Sequence, residues 1–275
     1  PPGRSAGFTP VPPGRSAGST PGPLRFRAVT VHFIGAGPGA ADLLTLRAVE
    51  LLRSSPVCVY AGTYIDDAIL DHCPAGTRLV DTAKLDLDAI TAELVAAHRR
   101  GEDVARLCSG DPSLYSALAE QSARLDAADV PWDVTPGVPA YAAAAASLGV
   151  ELTMPEVTQS VVLTRAQARS TAMPSTEALQ NFAATRATLA LHLAITRTRI
   201  IADELAEFYG PQCPAVVVFH ASKPDELLLR GTLADIADQV EAAGLRQAAV
   251  ILVGPALARR LVTESHLYDA CRDRS

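Results

Sequence analysis

The sequence predicts an α/β protein with two domains, mostly parallel sheets and a cleft between the domains. From residue 29 onward, short β-branched runs alternate with helical segments, as parallel sheets with crossover helices require. The alternation falls into two sets, separated by a linker over 149–158. Loops rich in glycine and proline follow several strands. A cleft between two α/β domains is a common position for a small-molecule site.

The first set of elements spans 29–148 and is expected to form the N-terminal domain. Its strand candidates are apolar runs bounded by turn residues, at 29–34, 56–60, 78–81, 103–108 and 132–135. Helical patterns fall between them, at 43–54, 64–71, 86–100 and 113–128. A further helix over 141–148 is nearly all alanine. That composition favours either close packing against another element or a plain helix of high intrinsic propensity.

The second set spans 159–262 and is expected to form the C-terminal domain, followed by a tail over 263–275. Its strand candidates are 160–164, 188–193, 215–219 and 248–253. Its helical segments are 175–183, 197–209 and 232–243. Three acidic residues of the second helix fit a solvated helix face, so they predict no carboxylate site.

The composition limits the classes of function. Of the 275 residues 48% are hydrophobic, and the formal net charge is −6, whereas a general nucleic-acid binder normally carries a basic surface. The five cysteines are scattered without a CxxC pair, which fits reduced thiols and no bound metal. The longest apolar runs are too short to span a membrane. We expect a cytoplasmic protein with no nucleic-acid partner and no membrane association.

Residues 1–28 differ from the rest of the chain. The sequence Pro-Pro-Gly-Arg-Ser-Ala-Gly occurs at 1–7 and again at 12–18, and the first acidic residue is Asp42. A segment so rich in Pro, Gly and Ser buries too little apolar surface to fold alone. It also lacks the apolar core of a signal peptide. We expect a disordered tail.

The strand at 29–34 ends in the sequence Gly-Ala-Gly-Pro-Gly over 35–39, where the backbone can approach a ligand closely. The first two glycines and Ala40 fit a loose dinucleotide-binding fingerprint. Pro38 counts against it, because proline lacks the backbone N–H that would bind a phosphate. The acidic residue expected for the ribose is also missing after the second strand. On these residues alone, a nucleotide- or NAD-binding module and a turn without ligand stay open.

Two further loops follow predicted strands and reach the same sheet edge. One is Ser-Gly-Asp-Pro over 109–112, and the other is Thr-Pro-Gly-Val-Pro-Ala over 135–140. Open α/β sheets bind ligands at this edge. Asp111, directly before Pro112, would either cap the next helix or orient a polar ligand. Neither loop carries a nucleophile elbow or a phosphate loop, so we expect a reaction driven by a cofactor.

In this order, the three loops resemble those of the tetrapyrrole methyltransferases, which use S-adenosylmethionine (SAM) in cobalamin and sirohaem synthesis. Pro38, which argues against a dinucleotide, is a hallmark of that family. The similarity extends from about residue 30 to about residue 257. Within the family, several segments are similar to the branch that methylates precorrin-4 at C-11 to give precorrin-5: 60–62, 151–157, 159–165, 173–174 and 221–226.

The resemblance implies a SAM-dependent methyltransferase that forms a homodimer and binds SAM between its two domains. The residues that it assigns to SAM are Pro38, Ser109, Gly110, Asp111, Pro139, Ala140, Leu193, Ala221 and Thr232. Leu193 stands where relatives often have methionine, and it keeps an apolar contact. Methylation at C-20 or C-17, or of uroporphyrinogen III, is the alternative within the family.

A tetrapyrrole substrate carries many carboxylates, which guanidinium groups bind through paired hydrogen bonds. Arg106 and Arg165 each flank a family motif and are the candidates for this contact, with an ordinary surface role as the alternative. Asp111 and Tyr115 are candidates for orienting the substrate or accepting a proton, and the sequence assigns no general base. The implied reaction is one in-line displacement, to which the protein contributes placement and a water-poor cleft.

Overall fold

The computed structural model describes residues 31–166 and 172–258, which form two five-stranded sheets. The predicted tails over 1–28 and 263–275 lie outside the described residues, as do 259–262 at the end of the predicted C-terminal domain. Within the described ranges, no helix combines the length and the apolar character that a membrane crossing needs.

The first sheet has the strand order β3-β2-β4-β1-β5, and all of its pairings are parallel. Its strands are β1 (Val31–Gly35), β2 (Val57–Tyr60), β3 (Arg78–Asp81), β4 (Val104–Cys108) and β5 (Trp132–Thr135). Every residue of β1 and β4 is buried, because helices cover both faces of the sheet centre. Each of the five strands confirms a strand candidate of the sequence.

Four helices accompany this sheet: α1 (Leu46–Ser54), α2 (Asp67–Leu70), α3 (Leu87–Arg99) and α4 (Leu118–Ala127). Side chains set the start of three of them, since Thr45, Asp66 and Asp86 each accept a hydrogen bond from a backbone N–H two or three residues further on. Helices α1, α2 and α4 begin three to five residues later than the sequence predicts. A 3-10 turn over Ala41–Leu43 precedes α1, and turns follow Pro112 before α4.

The second sheet is mixed, with the strand order β6-β7-β10-β8-β9. Its strands are β6 (Val161–Arg165), β7 (Thr188–His192), β8 (Pro214–Phe219), β9 (Leu227–Thr232) and β10 (Ala249–Val253). Only β6 and β7 pair in parallel, whereas the other pairings described are antiparallel. This differs from the mostly parallel sheet that the sequence predicts. The connection over 220–226 is too short for a crossover helix, so β9 must pair antiparallel with β8.

The alanine-rich helix α5 (Ala140–Leu148) packs on the second sheet, although it follows β5 of the first. Ala143, Ala144 and Leu148 are buried in one cluster with residues of β7, β8 and β10. Small side chains allow this close approach, which is one of the two interpretations that the alanine run leaves open. The division into a domain over 29–148 and a linker over 149–158 stays a prediction. In its packing, however, α5 belongs with the second sheet.

The remaining helices cover the opposite face of the second sheet: α6 (Leu179–Ala183), α7 (Thr198–Tyr209) and α8 (Ile236–Ala242). Their buried residues form one core with inward residues of β7, β8 and β10. The helix that the sequence predicts over 232–243 starts four residues late in the structure, because Thr232 ends β9. The second sheet is therefore covered by α5 on one face and by these helices on the other.

The three glycine-containing loops meet at the carboxyl edge of the first sheet. The backbones of Gly37 and Gly110 hydrogen-bond in both directions, with N–O distances of 3.1 and 2.7 Å. A Cβ atom added to Gly137 would lie 2.3 Å from the carbonyl oxygen of Gly110, and one added to Gly35 would lie 2.3 Å from the nitrogen of Gly137. Lack of space, more than backbone conformation, thus requires glycine at 35 and 137.

This packing makes Gly137→Ala a test of the loop contact. We expect the variant to lose about 2–3 kcal/mol of unfolding free energy in urea, because backbone atoms that cannot rotate away would have to move. Gly244→Ala is the control, since Gly244 has a positive φ of 66° but open space around its Cα. That control should lose only about 1 kcal/mol, from backbone strain. Equal losses in the two variants would show that the loops are not tightly packed.

Candidate active site

A cavity of about 600 Å³ lies between the two sheets, a volume in the usual range for small-molecule sites. The loops after β1, β2, β4 and β5 line it from the first sheet, and residues after β7 and β8 and before β10 line it from the second. A smaller hollow of about 340 Å³ lies on the surface of α3 and α4, away from the glycine-containing loops. The larger cavity is therefore the candidate site.

The cavity brings together eight of the nine residues that the resemblance assigns to SAM: Pro38, Ser109, Gly110, Asp111, Pro139, Ala140, Leu193 and Ala221. They come from five separate loops and from both sheets. Thr232 does not line the cavity. Its backbone N–H and its hydroxyl donate to the carboxylate of Asp235, at 2.6 and 3.0 Å, just before α8 begins.

Asp111 ties two of the loops together. Its carboxylate accepts hydrogen bonds from the N–H of Gly137 at 2.9 Å, from the N–H of Ser113 at 2.8 Å and from the Ser113 hydroxyl. Burial raises the pKa of Asp111, but these three hydrogen bonds outweigh it, so the net pKa lies below the ordinary value. The expectation that Asp111 caps the next helix is wrong, because α4 begins only at Leu118 and turns intervene.

Arg106 is buried, with 7% of its surface exposed, so the alternative of an ordinary surface arginine is wrong for this residue. Its Nε donates to the side-chain oxygen of Gln121 at 2.9 Å, and its guanidinium also contacts the carbonyl oxygens of Val59 and Leu107 at 3.4 Å. Burial lowers its pKa. Although Arg106 lines the cavity, these bonds join β2, β4 and α4 below it.

Arg165 and Tyr115 approach the cavity from opposite sheets. Arg165 ends β6 and lies opposite His192 in the parallel register with β7, but it does not line the cavity. Tyr115 does line it, with 46% of its surface exposed. Burial raises the pKa of Tyr115, and the nearby charge of Arg165 lowers it, with a net rise. The Tyr115 phenol is therefore protonated near neutral pH.

Backbone strain is concentrated around this cavity. Five of the nine non-glycine residues described with a positive φ line it: Tyr115, Ala117, Leu193, His220 and Ala248. Such conformations cost free energy in non-glycine residues and are often retained at ligand sites. Leu193 is also 59% exposed, although it is a large apolar residue. The strained residues thus support a binding role for the cavity.

Several residues of the site were not found by the sequence analysis. His192 ends β7, and its ring lies 5.6 Å from that of Tyr115 and 6.3 Å from that of Tyr141, measured between centroids. Lys223 and Arg246 bring positive charge to the lining from the second sheet. A lone histidine in an apolar strand resembles an ordinary core residue, so the sequence held no signal for it.

The segment 221–226 fastens the first glycine-containing loop to the second sheet. The Ser222 hydroxyl accepts a hydrogen bond from the N–H of Ala40 at 3.1 Å. The Glu226 carboxylate in turn accepts from the N–H of Ser222 at 2.6 Å and from the Ser147 hydroxyl at 2.8 Å. A Cβ atom on Gly39 would lie 2.4 Å from Cγ of Lys223, so this loop packs directly against the Lys223 side chain.

The structure thus has two α/β units, one all-parallel and one mixed, with glycine-containing loops around a cavity between them. This arrangement is typical of proteins that bind a small molecule between two domains. The family model of the Tetrapyrrole (Corrin/Porphyrin) Methylases matches residues 30–237. The chain belongs to this family, which confirms the resemblance seen in the three loops.

Individual relatives show which branch of this family the chain is similar to. A precorrin-4 C(11)-methyltransferase from Rhodococcus erythropolis is 56% identical over 247 residues, 90% of this chain and 99% of that protein. The X-ray structure of a cobalt precorrin-4 methyltransferase, a cobalamin biosynthetic enzyme, superposes with a TM-score of 0.80 at 36% identity, covering 83% of this chain and 95% of that one.

A third similar protein was crystallised with a ligand. This uroporphyrin-III C-methyl transferase from Thermus thermophilus, complexed with S-adenyl homocysteine, has a TM-score of 0.70 and 27% identity. The match covers 84% of this chain and 93% of that one. The two solved structures confirm the predicted two-domain α/β fold, with the second sheet mixed.

The depressed pKa of Asp111 predicts how Asp111→Asn changes stability with pH. The wild-type protein gains stability from the ionised carboxylate above the ordinary Asp pKa of about 4, and loses it as pH falls through the lower folded pKa. We expect the variant to be less stable by about 1–2 kcal/mol at pH 7, with the difference shrinking towards pH 2. Urea unfolding at several pH values measures this. Asp103→Asn, at an exposed position, is the control; a deficit for Asp111→Asn that did not change with pH would contradict the assignment.

Proposed function

We propose that the chain is a SAM-dependent methyltransferase that methylates precorrin-4 at C-11 to give precorrin-5 in cobalamin biosynthesis. The observation that carries this proposal is the 56% identity to a protein of that activity over 99% of its length. The cavity supports it independently, since eight residues that the family assigns to SAM line it together. No described feature favours the C-20, C-17 or uroporphyrinogen III alternatives over C-11.

The residues of the cavity fit SAM. Small and apolar side chains at Pro38, Ala140, Leu193 and Ala221 leave room for a flat ring and offer it van der Waals contacts. The backbone of 109–111 supplies polar groups at the same edge of the sheet. When bound, SAM supplies a methyl group already activated on a sulfonium, so the chain needs no nucleophile of its own.

The contribution of the chain is placement and exclusion of water. The hydrogen bonds of Asp111 and the contact between Gly37 and Gly110 hold the loops of the first sheet in one arrangement. The bond from Ala40 to Ser222 holds the second sheet against them. The cavity is already formed when the protein folds. Part of the entropic cost of bringing two reactants together is therefore met before either of them binds. The cavity also shields the displacement from water.

Basic residues around the cavity suit the carboxylates of a tetrapyrrole. The guanidinium of Arg106 already bonds Gln121 and two carbonyl groups, so it is the weaker of the two predicted candidates. Arg165 ends a strand beside His192 and near Tyr115, where a substrate in the cavity would come within reach. Lys223 and Arg246, on the lining itself, add positive charge from the second sheet.

The proposal includes a homodimer in the cytoplasm, without nucleic-acid or membrane partners. The family resemblance supports the dimer. The cysteines that the structure describes, Cys58, Cys73, Cys108 and Cys213, are all free, which fits a reducing compartment. Sedimentation of the purified chain tests the dimer directly.

The function is tested by calorimetry and by product analysis. We expect SAM and S-adenosylhomocysteine to bind with similar affinity, NAD not to bind, and precorrin-4 to gain one methyl group, located at C-11 by carbon NMR with labelled SAM. A methyl group at another carbon would contradict the proposed position. NAD binding without SAM binding would contradict the class of enzyme and favour a nucleotide-binding module.

For Arg165 we expect a defect in substrate binding only. Arg165→Ala should raise KM for precorrin-4 about tenfold, the equivalent of about 1.4 kcal/mol, because a carboxylate loses its cationic partner. The affinity for S-adenosylhomocysteine should stay within twofold. Arg53→Ala, at an exposed position on α1, is the matched control and should keep both values. If Arg165→Ala left the KM for precorrin-4 unchanged, Arg165 would not be part of the substrate site.

A further inference from the structure

The methyl transfer leaves the chain with a proton to remove, and neither candidate from the sequence suits that task. The carboxylate of Asp111 already accepts three hydrogen bonds from Gly137 and Ser113, which hold it in its ionised form and take three of its roughly four lone-pair positions. The phenol of Tyr115 is protonated near neutral pH, because burial raises its pKa. The first is a weak base, and the second has no vacant site for a proton.

His192 is better suited than Asp111 or Tyr115 to accept a proton. It lines the cavity, directly before Leu193. Its Nε2 has no hydrogen-bond partner among the described residues and is closed to solvent, so the ring must rotate before this atom meets a substrate in the cavity. Buried polar atoms without a partner are uncommon in proteins and call for an explanation, of which a ligand-supplied partner is one. Burial lowers the pKa of His192, so the imidazole is neutral near pH 7 and keeps a lone pair for a proton.

The surroundings of the imidazole keep it in this state. The titratable groups that face it are the phenols of Tyr115, from the loop after β4, and of Tyr141, from α5. The guanidinium of Arg165 lies on the neighbouring strand β6, opposite His192. On the other neighbouring strand, β10, the residues that pair with β7 are the apolar Ile251, Leu252 and Val253. No carboxylate among these groups would hold the imidazole in its charged form.

We propose that the imidazole of His192 accepts the proton that the tetrapyrrole loses when C-11 is methylated. The inference rests on the proposed function, which supplies the reaction, and on the position of His192 in the cavity. It deepens that function by naming a base that neither the family motifs nor the three glycine-containing loops contain.

C-11 forms a bond to the methyl carbon, the carbon–sulfur bond of SAM breaks, and its electron pair stays on sulfur, giving S-adenosylhomocysteine. The methyl group arrives as a cation equivalent, so the macrocycle gains one positive charge, shared with the conjugated ring nitrogen. Transfer of one N–H proton to the imidazole lone pair removes this charge. The resulting imidazolium later releases the proton to water.

The test compares wild-type enzyme with His192→Ala and His192→Gln over a range of pH. We expect kcat for precorrin-4 methylation to fall at least about a hundredfold at pH 7.5 in both variants. The wild-type kcat should decline only below the ordinary histidine pKa of about 6.5, and this acidic limb should disappear in the variants. Added imidazole should restore part of the activity of His192→Ala. The affinity for S-adenosylhomocysteine, measured by calorimetry, should stay within twofold and so report that the variants fold.

His72→Ala is the matched control, because His72 lies after α2 and outside the cavity, and it should behave as wild type. A kcat within twofold of wild type in His192→Ala would overturn the proposal. So would a large loss of kcat that leaves the acidic limb in place and that imidazole does not rescue, since this indicates a positioning role. Failure of the proposed function itself has a separate signature, because the wild-type enzyme would then transfer no methyl group to C-11 of precorrin-4.

Discussion

The rest of the structure depends on the contact between three backbones at the edge of the parallel sheet. Gly35, Gly110 and Gly137 lie so close that a single Cβ atom at 35 or 137 would overlap a neighbouring main chain. This contact brings the ends of β1, β4 and β5 together into one wall. Asp111 accepts a hydrogen bond from the N–H of Gly137, so a charged side chain and a packing constraint act on the same loops.

Two connections to this wall of loops fix the position of the second sheet. The chain leaves it at Pro139 and enters α5, whose alanines pack on β7, β8 and β10. The segment 221–226 then returns to the wall and accepts the N–H of Ala40. The cavity is the space that remains between the two sheets when these two connections are in place. Both sheets contribute apolar contacts as well as titratable and basic groups to its lining.

The sequence predicts most of the fold because its strands are apolar runs between turn residues, and β1 to β5 lie within a residue or two of their predicted bounds. It misses β9, where Arg230 and Gly231 interrupt the apolar pattern, and with it the antiparallel pairing of the second sheet. The three loop motifs identify the residues that line the cavity from the first sheet. His192 and the buried bonding of Arg106 depend on contacts between distant elements, which no local pattern encodes.

We propose that the glycine-containing loops and the second sheet together form one binding site for SAM. A crystal structure of the chain with S-adenosylhomocysteine tests it most directly. We expect the ligand to contact the loops over 109–111 and 139–140 on one side and Leu193 and Ala221 on the other, with the contact of Gly37 and Gly110 intact. A ligand bound to one sheet alone, or in the hollow on α3 and α4, would contradict it.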